Sequence, residues 1–283
     1  MTRDIDRDDE RQPEKEQTPE HPVREAHTKE DRIRTPVQER DRTFQISRDE
    51  RETMRDLGRF RIVALKDLAA HRYQGNTQWM TEDLKNLRQQ GLIRCRTLWL
   101  ARGGEKEKFV TLTKQGERLM KGDAGAPRQE IFSGFVKRAE VAHDAAIYPA
   151  YQAEAARIEK EGGRIGRVVL DYELKRLIYK PLAKIQPQVS KDEYRKRQAE
   201  VAAANGLKVV GGRVRLPDLR IEYETRDGER TSIDLEIATA SYHGSHAAIK
   251  AAAGFRIYGS QETASRLSRS LEERDIVADI LSL

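Results

Sequence analysis

The spacing of apolar residues changes several times along the chain, and each change marks an element. Residues 48–57 read as a first helix. Residues 64–73 read as a second, with Leu65, Leu68 and Ala69 on one face. Gly75-Asn76-Thr77 then breaks the chain and offers Asn76 or Thr77 as the N-cap of a third helix. Met80, Leu84 and Leu87 recur on that helix at the spacing of one buried face, and Gly91 ends it. Two strands are expected at 93–100 and 108–112, joined by a polar loop in which Gly103-Gly104 supplies the turn. A last helix begins in Leu112-Thr113-Lys114-Gln115-Gly116-Glu117-Arg118-Leu119.

Beyond residue 130 the pattern is mixed. Helices are expected at 131–161, 191–204, 247–255 and 260–272. Strands are expected at 167–171, 207–210, 219–225, 231–238 and 276–281, with Arg226-Asp227-Gly228-Glu229 as the turn of a hairpin. Residues 1–45 have too few apolar side chains to offset chain entropy and are expected to be a disordered, charged tail. Gly122, Gly125 and Pro127 mark a linker at 123–130. The division is therefore a tail (1–45), a first domain (46–122), a linker (123–130) and a second domain (131–283). The fold class expected is α+β or α/β: a small helical domain with a strand pair, followed by a mixed α/β domain.

Charge sharpens this picture. The net charge of +6 is unevenly spread. Residues 1–44 hold 10 basic and 13 acidic groups, and residues 46–122 hold 17 and 10. Residues 123–283 hold 26 and 24. The basic excess sits in the first domain, as a phosphate-binding surface requires. The single cysteine, Cys95, excludes an internal disulfide framework or a Cys-rich zinc site, and a reducing cytoplasm is the expected compartment. No apolar run approaches the ~18 residues of a membrane span, so no membrane partner is expected.

On the third helix the apolar face leaves Asn76, Thr77, Gln78, Thr81, Lys85 and Arg88 pointing outward. Asn and Gln can read base edges, while Lys and Arg meet phosphates or guanine. Arg102, Lys106 and Lys108 on the strand pair are placed to reach backbone phosphates. Glu82 and Asp83 count against such a surface unless they face away. The segment resembles winged helix-turn-helix domains of bacterial regulators. The likeness is carried by the third helix ending in Gln90-Gly91-Leu92-Ile93 and by Leu112-Thr113-x-x-Gly116-x-x-Leu119 after the strand pair. It implies double-stranded DNA as partner, with the third helix in the major groove.

In the second domain, Pro217-Asp218 precedes one strand and Asp234-Leu235-Glu236 lies on the next. Alternation puts Asp234 and Glu236 on one face, so that Asp218, Asp234 and Glu236 can converge at a sheet end, with Glu173 as a possible fourth carboxylate. Such a cluster suits Mg²⁺ and phosphodiester hydrolysis. It resembles the PD-(D/E)XK core of restriction-endonuclease-like folds. That pattern wants a lysine two residues after its acidic residue, and here the position is Ala238. Lys250, on the following helix, is the near substitute. The catalytic set of a nuclease would thus be Asp218, Asp234, Glu236 and Lys250, with Asp218, Asp234 and Glu236 as the metal ligands. A nuclease-like fold without activity, for want of that lysine, and ordinary outer-face residues of a hairpin are the alternatives.

The order of these parts is similar to that of the replication-relaxation family of bacterial plasmids and mobile elements. The residues concerned are Val141-Ala142-His143-Asp144-Ala145, Leu216-Pro217-Asp218, Asp234-Leu235-Glu236-Ile237-Ala238-Thr239, Lys250 and Tyr258. This resemblance implies a DNA-binding accessory or regulatory protein of replication, relaxation or conjugative transfer. Relaxase, replication or transfer proteins would be its partners, and it would have no cofactor unless a nuclease uses Mg²⁺. A Mg²⁺-dependent endonuclease and a protein-interaction adaptor are the alternatives. A homodimer is compatible with a winged helix, although no coiled-coil seam is visible. His243 and His246 form an H-x-x-H near a helix start and are expected to be surface or capping residues. His143 is expected at a core edge, and Trp79 and Trp99 in packing.

Overall fold

The computed structural model describes residues 30–99, 106–122, 129–185 and 189–283. Arg102, the Gly103-Gly104 turn, most of the tail and residues 123–128 of the linker lie outside them.

The first surprise is at the start. A 3-10 turn at Glu30–Arg32 leads into an antiparallel hairpin of β1 (Thr35–Glu39) and β2 (Arg42–Ile46). The end of the expected disordered tail is therefore ordered. Phe44 and Ile46 enter the main core, with Val37 packed against it. Polar clasps hold the hairpin down as well. Arg34 makes a two-nitrogen contact with Glu50, and Gln45 exchanges bonds with Gln90 while its carbonyl accepts from Asn86. The polar count suggested a tail because three apolar residues are too few for a core of their own; here they complete one supplied by other elements.

α1 (Arg48–Phe60) starts at a capping box, in which Ser47 accepts from the Glu50 amide and Glu50 accepts from the Ser47 amide. A two-residue strand, β3 (Val63–Ala64), precedes α2 (Leu65–His71) and α3 (Thr77–Gln89). β4 (Ile93–Trp99) and β5 (Lys106–Leu112) follow, then α4 (Lys114–Lys121). The three strands pair in the order β3-β5-β4, all antiparallel. Met54, Leu57, Leu68, Leu84, Leu87 and Leu112 fill the space between helices and sheet.

The helix expected at 131–161 is shorter: α5 spans Val141–Lys160. Residues 131–137 form no regular element instead, because their backbone is claimed by the first part of the chain. The Phe132 amide donates to Gly58 O at 2.8 Å and the Gly134 amide to Leu112 O at 3.0 Å. Gly134 sits at φ 87°, where a side chain is strained.

The second part is built on a five-stranded sheet. Its strands are β6 (Arg164–Leu170), β9 (Leu219–Glu224), β10 (Arg230–Ala238), β11 (Arg256–Gly259) and β12 (Ile280–Ser282). Their order is β12-β11-β10-β9-β6. β9 runs antiparallel to both of its neighbours, β6 and β10, whereas β11 and β12 run parallel to β10. Between β6 and β9 lie α6 (Asp171–Ile185), α7 (Lys191–Ala204) and a small hairpin of β7 (Val209–Val210) and β8 (Arg213–Val214). α6 was not anticipated, although Leu174, Ile178 and Leu182 recur every four residues on its buried face. α8 (Gly244–Ala253) joins β10 to β11, and α9 (Gln261–Glu272) joins β11 to β12. The mixed α+β class expected from the sequence is the class observed.

One core crosses from the first part to the second. Phe60 at the end of α1 packs on Tyr148 and Tyr151 of α5, with ring centroids 5.2 and 4.9 Å apart. The same cluster continues through Leu170, Leu219, Ile221, Leu235 and Ile237 on one sheet face. The opposite face carries Arg220, Asp234 and Glu236 under α7 and α8. The outer edge of β6 is closed by a side chain: Gln129 donates to Val168 O and accepts from the Val168 amide, both at 2.9 Å. Among the described residues, no helix is long and apolar enough to cross a membrane.

Candidate functional site

Two places gather the residues singled out by the sequence. The first is a groove of about 800 Å³ between α3 and the β4–β5 pair. Thr81, Lys85 and Arg88, spaced 81-85-88, form one wall, because positions three and four apart share a helix face. Lys108 forms part of the other, with Cys95 and Thr97, and Met80 and Leu84 make an apolar floor. Strand alternation explains the second wall. Cys95, Thr97 and Trp99 point to one side of β4, and the partners of Thr97 and Trp99 in register are Lys108 and Lys106. Lys106 lies over the Trp99 ring, 4.6 Å from its centroid.

Trp99 is therefore not a packing residue as expected; it is 43% exposed on this wall. Alternation along β4 from Cys95 was the signal that would have found it. Burial raises the Cys95 thiol's pKa, and the nearby cations of Arg88 and Lys108 oppose that rise.

Not every expected contact residue is free to read DNA. The Asn76 side chain caps α3, accepting from the Trp79 amide at 3.0 Å. The Thr81 hydroxyl donates to Thr77 O at 2.7 Å, and Gln78 donates to Glu82. Thr77, Gln78, Thr81, Lys85, Arg88, Lys106 and Lys108 are all exposed.

The two acidic residues of α3 are neutralised from an unforeseen direction. Arg32 lies 2.9 Å from Glu82 and 3.3 Å from Asp83, and its guanidinium stacks over Trp79. Asp83 is buried and accepts from Tyr73. Burial pushes its pKa up to about 6, against the pull of Arg32. A residue assigned to the tail thus masks the negative charge of α3.

The second place is the sheet end where β9 begins and β10 finishes. Here the structure brings together Asp218, Glu236 and Lys250, as the sequence expected, but not Asp234. Asp234 is the register partner of Arg220 and is held by it in a two-point ion pair at 2.7 and 2.8 Å. Arg220 also donates to the carbonyls of Asn205 and Gly206 at the end of α7. Glu173 is likewise elsewhere, in contact with Arg167 of β6.

Glu236 is 5% exposed and both its oxygens are engaged. Lys250 Nζ donates to one at 2.7 Å and the Tyr242 hydroxyl to the other at 2.9 Å. Burial pushes the Glu236 pKa up to about 7, the neighbouring Asp218 carboxylate adds to the rise, and Lys250 and Tyr242 oppose it. Asp218 accepts from the Ile237 amide at 2.8 Å.

His143 completes the cluster. It was expected at a core edge, yet its Nε2 lies 3.1 Å from Asp218 Oδ2 and its Nδ1 3.2 Å from Asp144 Oδ1. Hydrogen bonds to Asp144 and then to Asp218 raise its pKa to about 10, so the ring is an imidazolium at neutral pH. Asp144 in turn accepts from Arg61, whose guanidinium stacks on Tyr172 at 4.1 Å. Tyr258 belongs to a different network, donating at 2.8 Å to the buried Glu154, which Arg157 and Arg256 also hold.

The donor set does not fit a Mg²⁺ ion. A hard cation wants several free carboxylate oxygens. Asp234 is committed to Arg220, Glu236 to Lys250 and Tyr242, and Asp218 Oδ2 to Ile237 N and His143. Among the described residues, no group of three or more His, Cys, Asp or Glu side chains is placed to hold a metal. His243 and His246 lie near each other, with ring centroids 6.3 Å apart, without a third ligand. Comparisons with protein-family models, with curated proteins and with solved structures gave no match, so the functional reading rests on these residues and their geometry.

Proposed function

We propose that this protein binds double-stranded DNA, with α3 in the major groove and the β4–β5 pair against the flanking backbone, in the manner of a winged helix. The helix–strand–helix–helix–strand–strand order from α1 to β5 supports that reading. The observation that carries it is that Lys85 and Arg88 of α3 and Lys108 of β5 line one groove, while the acids of α3 are tied up by Arg32. Convergent cations on a helix and a strand pair suit a curved polyanion. The motif order quoted from the sequence supports a role as an accessory or regulatory factor in the replication, relaxation or transfer of a plasmid or other mobile element.

The second part acts in this reading as a nuclease-like scaffold without a metal centre. The antiparallel β6-β9-β10 strands followed by parallel β11 support that reading of a restriction-endonuclease-like core. A live nuclease is the second reading, favoured by one contact: Lys250 reaches Glu236 beside Asp218, where the sequence motif lacks its lysine.

Gel retardation with a salt titration tests the first reading. The wild type should retain duplex DNA, with log K falling linearly against log salt at a slope of about −0.9 per phosphate contact. The variant Lys85→Gln/Arg88→Gln/Lys108→Gln should lose that retention. Equal binding by the two proteins refutes the groove. Plasmid cleavage in Mg²⁺ that is lost in Asp218→Ala replaces the scaffold reading with the nuclease one.

A further inference from the structure

The near-neutral balance of residues 123–283 conceals a sharp separation of charge. Between β6 and β9, adjacent antiparallel strands that a short turn would join, the chain leaves the sheet over residues 171–218. This excursion is a compact unit. Ile178 and Leu182 of α6, Ala202 of α7, and Leu207 and Val214 around the β7–β8 hairpin share an apolar cluster separate from the main core. Residues 171–215 carry 11 Lys and Arg against 5 Asp and Glu, whereas the rest of 123–283 carries 15 against 19. A basic module is thus mounted on an acidic body.

Most of its acids are matched locally. Asp171 pairs with Lys175, Glu173 with Arg167, Asp192 with Arg195 and Glu200 with Arg197. Lys180, Lys184, Lys191, Lys196, Lys208 and Arg213 remain exposed, and none has an acidic partner within ion-pair distance among the described residues. Lys184 lies in the last turn of α6 and Lys191 begins α7, and Lys208 and Arg213 belong to the small hairpin and its approach. Lys180 and Lys184, one turn apart on α6, repel within a Debye length of about 8–10 Å, and a polyanion relieves that repulsion. Five of the six are lysines, which act as flexible point charges on phosphates rather than as two-pronged readers of bases.

We propose that the α6–α7 module is a second contact for the phosphate backbone of duplex DNA, adding sequence-independent affinity to the α3 groove. This rests on the DNA reading above. It assigns the excursion a job that closing the sheet does not require.

The test uses the full chain and a random-sequence duplex about four helical turns long, by fluorescence anisotropy across a salt series. The variant Lys180→Gln/Lys184→Gln/Lys191→Gln/Lys196→Gln removes four exposed cations. A control, Lys160→Gln/Arg230→Gln/Arg269→Gln/Arg274→Gln, removes as many from elsewhere on the second part. The module variant should flatten the salt slope by about two to four units and weaken binding at low salt at least tenfold, roughly as the counterion rule requires. The control should stay close to wild type, and matching circular dichroism and melting curves should show that both remain folded. A module variant with the wild-type slope, or a control that weakens binding equally, overturns this proposal and leaves the groove standing. A wild type that does not retain the duplex at all refutes both.

Discussion

Replacing Glu236 by glutamine removes one titration from the sheet end while keeping the shape of the side chain and an acceptor for Tyr242. In the wild type the carboxyl is 5% exposed, and burial beside Asp218 lifts its pKa from 4.5 to about 7. The folded protein therefore binds this proton more tightly than the unfolded chain does. Stability from that preference is fully present below about pH 4.5 and is lost as pH rises through about 7. A shift of about 2.5 units at 1.36 kcal/mol per unit is worth roughly 3 kcal/mol. Little discount for solvent is needed at this depth. Unfolding free energies from urea titrations at about pH 4.5 and about pH 8 should show the wild type losing roughly 3 kcal/mol relative to Glu236→Gln. Groups that titrate alike in both proteins cancel in the difference. A flat difference would refute the raised pKa. A difference of opposite sign would mean that Lys250 holds Glu236 as a carboxylate throughout.

His143→Ala leaves Asp144 and Asp218 facing each other without the cation between them. The variant should lose roughly 1.5–3 kcal/mol at neutral pH in the same titration. Because the His143 pKa is raised from 6.5 to about 10, its contribution is complete below about 6.5 and fades as pH climbs through 10, so the gap between the two proteins should close in alkali. Gly116→Ala places a methyl group against the backbone carbonyl of Leu92 and 3.2 Å from a Leu112 methyl. Neither a backbone carbonyl nor a core leucine yields easily, so thermal melting should show a loss of about 1–3 kcal/mol, and unchanged melting would mean that α4 does not dock so closely.

The sequence by itself determined the elements whose signals are local. Gly75-Asn76-Thr77 and Gly91 bound the third helix, and α3 runs from Thr77 to Gln89 under an Asn76 cap. Met80, Leu84 and Leu87, spaced four and three apart, placed its buried face, and two apolar runs around a polar loop marked the strand pair after it. A Pro-Asp before a strand and an acidic strand end, visible along the chain, pointed to Asp218 and Glu236, and the resemblance to a PD-(D/E)XK core pointed to Lys250.

What the tertiary structure alone decided were partnerships between residues far apart in sequence. Asp234 and Glu236 share a strand face and look equivalent by alternation, yet the register puts Arg220 opposite the first and the chain path puts Lys250 over the second. Nothing near Arg32 reveals that it will cover the acids of α3, and nothing near His143 reveals Asp218. The β1–β2 hairpin failed a local test of hydrophobicity because its burial is provided by another element's surface. Propensity and periodicity act over a few residues. Ion pairing and burial depend on distance in space, which only the packed chain defines.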